Sequence, residues 1–166
     1  ASGSRGQGMS VARGAADTQK LTNDKHMVYS LHGDGELQEG QNWEAILFAG
    51  GKGIDNLIST IDYNKQQIDG STDDVLPLGD VGAKLEAFGW TVINVEKGNE
   101  VPAILAGFEA AKAASGQQKP VAILLHTVMG NGVDFMMHTH AWHGKAPNDE
   151  QLAIGLAQNE ETLGDY

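Results

Sequence analysis

The chain has 166 residues, 22 of them glycine, and sets 22 acidic side chains against 11 basic ones. A formal charge of −11 with no basic patch excludes a nucleic-acid binder that grips phosphates through Lys and Arg. The lack of cysteine excludes disulfides, thiolate metal sites and cysteine nucleophiles. No apolar run approaches the ~18 residues that span a bilayer and the start is no signal peptide, so no membrane partner and a cytoplasmic location are expected.

The chain opens on a glycine-rich loop, residues 1–8, with no strand before it. A helix is predicted over 10–21, then a strand over 27–31. The next helix, 42–49, carries Trp43, Ile46 and Leu47 at helical spacing. A strand over 57–62 follows, then a short helix over 81–88 and a strand over 91–95. In the helix predicted over 100–115, Val101, Ile104, Leu105, Phe108 and Ala111 make one apolar stripe. Pro102 falls in its first turn, where a missing N–H costs little. A strand over 121–126 and a closing helix over 149–157 complete the set. The strands are short, apolar and rich in β-branched residues, as buried parallel strands are. Their alternation with helices predicts an α/β fold: a doubly wound, mostly parallel sheet with helices on both faces. One domain over 1–166 is expected, incomplete on its N-terminal side, with residues 149–166 as closing helix and tail.

Ligands of open parallel sheets bind beyond the carboxyl ends of the strands. After the first strand comes His32-Gly33-Asp34-Gly35-Glu36-Leu37-Gln38-Glu39-Gly40. Its glycines let the backbone turn sharply and approach a ligand, although an Asp-Gly pair by itself is more often only a turn. Asn64 follows Asp34 by one strand–helix–strand unit, so both fall at neighbouring strand ends. A carboxylate, an amide oxygen and a nearby carbonyl suit Mg²⁺, which fills its octahedron with phosphate oxygens and water. A metal would thus bridge an acidic protein to a diphosphate.

Gly33-Asp34-Gly35 followed by Asn64 resembles the thiamine diphosphate motif, and residues 33–45 are similar to transketolases in particular. So are Asp55-Asn56-Leu57-Ile58, Gln67-Ile68-Asp69-Gly70, Phe88-Gly89-Trp90 and Trp142-His143-Gly144-Lys145-Ala146-Pro147. The opening Ser2-Gly3-Ser4-Arg5-Gly6-Gln7-Gly8 resembles that family's Gly-rich loop. The resemblance implies the thiamine-diphosphate-binding fold and transfer of a two-carbon ketol unit between sugar phosphates. It implies that Asp34, Asn64 and the Gln66 carbonyl bind Mg²⁺, for which Ca²⁺ or Mn²⁺ can substitute. Gly3 and Gly35 would meet the diphosphate through backbone, and Ile68 would pack beside the cofactor rings. His143 would reach the diphosphate and a substrate oxygen, a task that suits histidine as a proton carrier. Glu39 would lie near a subunit interface in the family's glutamate network, and Met129 would line the pocket.

The family's pattern is not complete here. The pyrimidine-binding domain, whose glutamate activates the cofactor, is missing, as are the substrate-contacting histidines that normally precede the Gly-rich loop. Arg5 stands where the family pattern has an apolar residue. These departures suggest a split transketolase that pairs with a pyrimidine-binding domain or carboxy-terminal subunit, in a homo- or hetero-oligomer. Exposed apolar surface around Gly3 and the 42–49 helix is expected to mark the interface.

Alternatives remain. Deoxyxylulose-phosphate synthase and the decarboxylating subunits of 2-oxoacid dehydrogenases share the Gly-Asp-Gly element. A catalytically incomplete cofactor-binding or assembly subunit would too. His138, His140 and His143 have a spacing that can hold zinc, as in a metal-dependent hydrolase. Gly50-Gly51-Lys52-Gly53 reads as a helix end and turn, not a P-loop, because no Ser or Thr follows the lysine. Trp43 and Trp90 are expected in the core, Trp142 at the site's edge, and His126 either in the pocket or bonded to backbone.

Overall fold

A computed structural model describes residues 6–159. Four strands form one parallel sheet in the order β1-β2-β6-β5: β1 (Val28–Gly33), β2 (Leu57–Asp62), β5 (Thr91–Val95) and β6 (Val121–Leu125). A separate two-residue hairpin, β3 (Gln66–Gln67) with β4 (Gly70–Ser71), lies between β2 and a one-turn helix α3 (Thr72–Val75). The longer helices are α1 (Gln7–Leu21), α2 (Gly40–Gly51), α4 (Val81–Ala87), α5 (Val101–Ala114) and α6 (Asp149–Gln158). Among the described residues no helix is long and apolar enough to cross a membrane.

The sequence of crossovers explains the layers. The chain steps from β1 to β2 through α2, then over β6's place to β5 through α4. Both steps run in one direction, and α1, α2 and α4 share one face, with Met9, Ala16, Ile46, Leu57, Ile61 and Leu85 in a common cluster. From β5 it turns back to β6, and α5 lands on the opposite face against Ile58, Val95, Val121 and Ile123. Right-handed crossovers require this change of face when the direction reverses. The interior strands β2 and β6 are buried almost throughout, β6 as an unbroken apolar run and β2 with Ser59 and Thr60 buried among Leu57, Ile58 and Ile61.

Several boundaries differ from the sequence reading. β1 starts one residue later and runs on through His32 and Gly33, because the parallel ladder pairs them with Ile61 and Asp62. β6 ends at Leu125, one residue earlier. α1 begins at Gln7, so part of the glycine-rich opening is helical, entered through Gly6 at φ 72°. The stripe predicted for α5 holds in part: Ile104 and Phe108 pack against the sheet beside Ala111, whereas its other members do not. Gly107 and Ala111 are buried against the sheet, and Val101 and Leu105 are 65% and 60% exposed. Small residues win that face because Val95 already fills it: a Cβ at position 107 would sit 2.6 Å from a Val95 methyl.

At the amino-terminal end of the sheet, Asp55 works as a clamp. One carboxylate oxygen accepts from Lys20 Nζ of α1 at 2.8 Å and the other from the Gln118 N–H at 3.0 Å. The Asp55 carbonyl accepts from the Gly116 N–H. The side-chain amide of Asn56 donates to the Ala16 carbonyl at 3.0 Å. Trp90 is buried and Trp43 packs against the same core, as expected.

Candidate functional site

The carboxyl ends of β1 and β2 open into a cavity of about 560 Å³. Its wall includes Gly33, Asp34, Gly35, Glu36, Gln38 and Glu39 from the turn after β1, then Asp62 and Asn64 from the end of β2. Gln66 to Asp69, Val75 and His143 complete it.

Asp34 leaves β1 as the cap of a single 3₁₀ turn (Gly35–Gln38) and is only 1% exposed. Its Oδ1 accepts from the Gly35 N–H at 2.8 Å and its Oδ2 from the Lys65 N–H at 2.5 Å. Burial nevertheless pushes its pKa up to about 6, with the Asp62 carboxylate adding to the rise and the two N–H groups opposing it. The turn is held from below. Asn42 Nδ2 donates to the Glu36 carbonyl at 2.6 Å, and Trp43 Nε1 donates to the Leu37 carbonyl at 2.8 Å. Leu37 itself is fully buried.

Asn64 sits where the chain leaves β2. Its Oδ1 accepts from the Gln66 N–H at 2.8 Å, and its Nδ2 donates to Asp62 Oδ2 at 3.2 Å. The other Asp62 oxygen accepts from the Thr127 hydroxyl, beyond the end of β6. Gly35 has no room for a side chain, since a Cβ there would lie 2.7 Å from Gln67 Cβ. The turn after β1 and the β3–β4 hairpin therefore close on each other only because position 35 is glycine.

His32 is 2% exposed at the base of this turn. One ring nitrogen lies 2.9 Å from Ser30 Oγ, which is 2.9 Å from Ser59 Oγ. The other faces Glu36 Oε2 at 3.6 Å without a hydrogen bond. Burial holds its pKa below the usual histidine value, against the opposing pull of Glu36. This place in the core suits a supporting role beneath the loop.

The structure thus brings Asp34, Gly35, Glu39, Asn64, Gln66, Ile68 and His143 to one cavity. Ile68 is 64% exposed, presenting a bare apolar side chain. Glu39 and His143 are also exposed. Gly3 and Arg5 lie outside the described residues. Met129 is not on the cavity wall; the chain after it turns at Gly130, φ 73°, where a side chain would strike Met136. His126 likewise misses it and bonds to Asn94 Oδ1 at 3.0 Å, so neither reading offered for it holds. Trp142 stands beside His143, its Nε1 donating to the Phe135 carbonyl at 2.8 Å.

His138, His140 and His143 do not assemble into a zinc site: among the described residues no group of three or more His, Cys, Asp or Glu side chains is placed to hold a metal ion. His138 takes the left-handed conformation at φ 59°, which turns that loop. Asp62, on the cavity wall, and Thr127, which bonds to it from beyond the end of β6, escaped the sequence reading. Asp62 could have been found as the residue two before Asn64 in an extended segment, on the same side; Thr127 carried no such signal.

The residues fit thiamine diphosphate with a divalent cation. Asp34, Asn64 and the Gln66 carbonyl are oxygen donors without thiolate or imidazole, the set that Mg²⁺ prefers. A buried carboxylate with a raised pKa beside a second carboxylate gains most from a cation.

The family model described as "Transketolase, thiamine diphosphate binding domain" matches residues 1–162. A 6-deoxy-6-sulfo-D-fructose transketolase subunit of Clostridium sp. (strain MSTE9) is 41% identical over 159 residues, covering 96% of this chain and 57% of that one. One of the apulose-4-phosphate transketolase subunits, from Actinobacillus succinogenes, is 36% identical, covering 94% and 55%. The chain therefore spans about half the length of these curated relatives. Among solved structures, a Pichia stipitis transketolase complexed with sedoheptulose 7-phosphate superposes with a TM-score of 0.76 at 30% identity, over 93% of this chain and 23% of that one. The Campylobacter jejuni transketolase gives 0.73 at 28%, over 93% and 24%.

Proposed function

The chain belongs to the transketolase family, as a thiamine diphosphate binding domain, and on that premise we propose that it supplies the diphosphate and metal half of a site that transfers a two-carbon ketol unit between sugar phosphates. One observation carries the reading: the buried Asp34 carboxylate and Asn64, at the ends of adjacent strands, face one cavity at the open end of the sheet. Asp34, Asn64 and the Gln66 carbonyl would hold Mg²⁺, with Ca²⁺ or Mn²⁺ able to take the same oxygens. When bound, thiamine diphosphate supplies a nucleophilic carbon and an electron sink for a ketose carbonyl.

The chain's own residues bind and orient. Gly35, lacking a side chain, lets the backbone of the turn come close to a diphosphate, and Gly3 would do the same from the opening loop. Ile68 offers its exposed apolar surface to the cofactor rings. His143, on the cavity wall, carries protons to and from substrate oxygens. Glu39, exposed at the start of α2, belongs to the interface with a partner. That partner is a pyrimidine-binding domain or carboxy-terminal transketolase subunit, in keeping with relatives that are themselves named as subunits. Val11 and Leu47, 71% and 56% exposed on α1 and α2, fit such an interface. A cytoplasmic oligomer goes with this reading.

Titration calorimetry tests it. Thiamine diphosphate should bind with Mg²⁺, and binding should vanish without the metal or in Asp34→Ala and Asn64→Ala. Ketol transfer should be negligible for the chain alone and appear when the complementing subunit is added. Metal-independent binding would refute the assigned ligands. Metal-dependent binding that never leads to turnover with the complementing subunit would leave the chain with an assembly role only.

A further inference from the structure

We propose that Asp62 sets which end of the Asn64 side chain faces the metal position, and that Thr127 locks Asp62 from the neighbouring strand. The inference rests on the metal reading above.

An asparagine can bind a cation only through its carbonyl oxygen. Its amino end is a pure donor and would repel the ion. An asparagine at a metal position must therefore be kept from flipping. In this chain the two ends of Asn64 are distinguished by their neighbours. Oδ1 accepts from the Gln66 N–H at 2.8 Å, on the side of the third proposed ligand. Nδ2 donates to Asp62 Oδ2 at 3.2 Å. A flipped amide would set two donors face to face at Gln66 and two acceptors face to face at Asp62. Of the two contacts, only the one to Asp62 involves a charge, and charge-assisted hydrogen bonds are the stronger.

Asp62 is itself fixed. It is the last residue of β2, and its Oδ1 accepts from the Thr127 hydroxyl, which lies two residues past the end of β6. The lock crosses from one strand end to the next. It keeps the carboxylate from turning to bind the cation itself, and leaves Oδ2 aimed at Asn64. Asp62 is thus a positioning residue. Partners of this kind behind a metal ligand typically alter metal affinity by roughly 10- to 100-fold.

Asp62 also places negative charge near Asp34, where it adds to the raised pKa. Charge alone would favour any cation, so the test must separate charge from orientation. The separation comes from Asn64→Asp, whose two oxygens make a flip harmless. Mn²⁺ affinity is read from the electron paramagnetic resonance signal of the free ion, with thiamine diphosphate present and with Mn²⁺ alone. Circular dichroism and metal-free melting check that each variant is folded.

In the natural background, Asp62→Asn should weaken Mn²⁺ binding about 10- to 100-fold. In the Asn64→Asp background the same change should cost less than about threefold, the coupling that a double-mutant cycle exposes. Thr127→Val should weaken binding at least about threefold, and Thr127→Ser, which keeps the hydroxyl, should restore it. An equal loss from Asp62→Asn in both backgrounds would reduce Asp62 to a charge and overturn the inference. So would a Thr127→Val variant that binds as well as the natural chain, a measurement that stands even should Asp62→Asn fail to fold. If the natural chain binds no Mn²⁺ under either condition, the metal reading falls and takes this inference with it.

Discussion

The backbone N–H of Lys65 donates to Asp34 Oδ2 at 2.5 Å, so the residue next to Asn64 grips the carboxylate one strand away. The two proposed ligands are thereby tied through main chain before any cation arrives.

This tie does not offset the cost of burying Asp34, and the excess is measurable as a pH dependence. Its pKa rises from 3.8 to about 6. Between those values the folded chain holds a proton that the unfolded chain has lost, so stability falls as pH rises from about 4 to about 6. The whole shift corresponds to on the order of 3 kcal/mol, present below pH 4 and gone above pH 6. Chemical denaturation across this range, in the absence of divalent cations, should show the decline. Asp34→Asn should remove that slope. Its absolute stability at neutral pH should change less, because its amino end must face one of the two N–H groups. An unchanged slope in the variant would exclude Asp34 as the titrating group.

Positions 50 and 51 should respond in opposite directions to the same substitution. A Cβ at Gly50 would lie 1.8 Å from the Phe88 carbonyl oxygen, with Trp90 Cδ1 at 3.3 Å. Neither neighbour is free to yield, since Trp90 Nε1 also donates to the Ile46 carbonyl at 2.9 Å. Gly50→Ala should cost at least about 3 kcal/mol, at the severe end of overpacking. Gly51, one residue on in the same helix, meets nothing within 4 Å. Gly51→Ala should gain roughly 0.5–1 kcal/mol from helix preference. Thermal melts of the two variants decide.

His143 should separate chemistry from folding. It is exposed, so His143→Ala should leave stability within about 0.5 kcal/mol. Ketol transfer with the complementing subunit should drop by a factor on the order of 10²–10⁴, the usual worth of a positioned acid or base. Metal-dependent cofactor binding should weaken less than turnover does. Full turnover in the variant would remove His143 from the reaction.

The main strands and helices were legible because parallel strands buried on both faces read as short apolar runs rich in β-branched residues, Val121 to Leu125 without a break and Leu57 to Ile61 interrupted only by Ser59 and Thr60. Asp34 and Asn64 were legible because a strand–helix–strand unit of regular length puts its ends side by side. The β3–β4 hairpin was not, since two-residue strands leave no periodicity. Val101 and Leu105 were misassigned to the buried stripe of α5 because leucine and valine mark a stripe by hydrophobicity, whereas the space beneath Gly107 is set by Val95 on another element. Met129 lies off the cavity wall, a placement in the loop after β6 that side-chain pattern does not carry. Thr127 reaches Asp62 only through the lateral order of strands, which puts β6 beside β2.

The Asp55 clamp has a consequence for change over time. It fastens α1, the start of β2 and the approach to β6 at the end of the sheet remote from the cavity. The fold is secured on one rim, and the turns that line the cavity hang from the other. Residues around the mouth can therefore be exchanged to reshape the cavity without loosening the foundation. A library that randomises the rim of the cavity and leaves Lys20, Asp55 and Gln118 alone is the natural starting point for redirecting this scaffold.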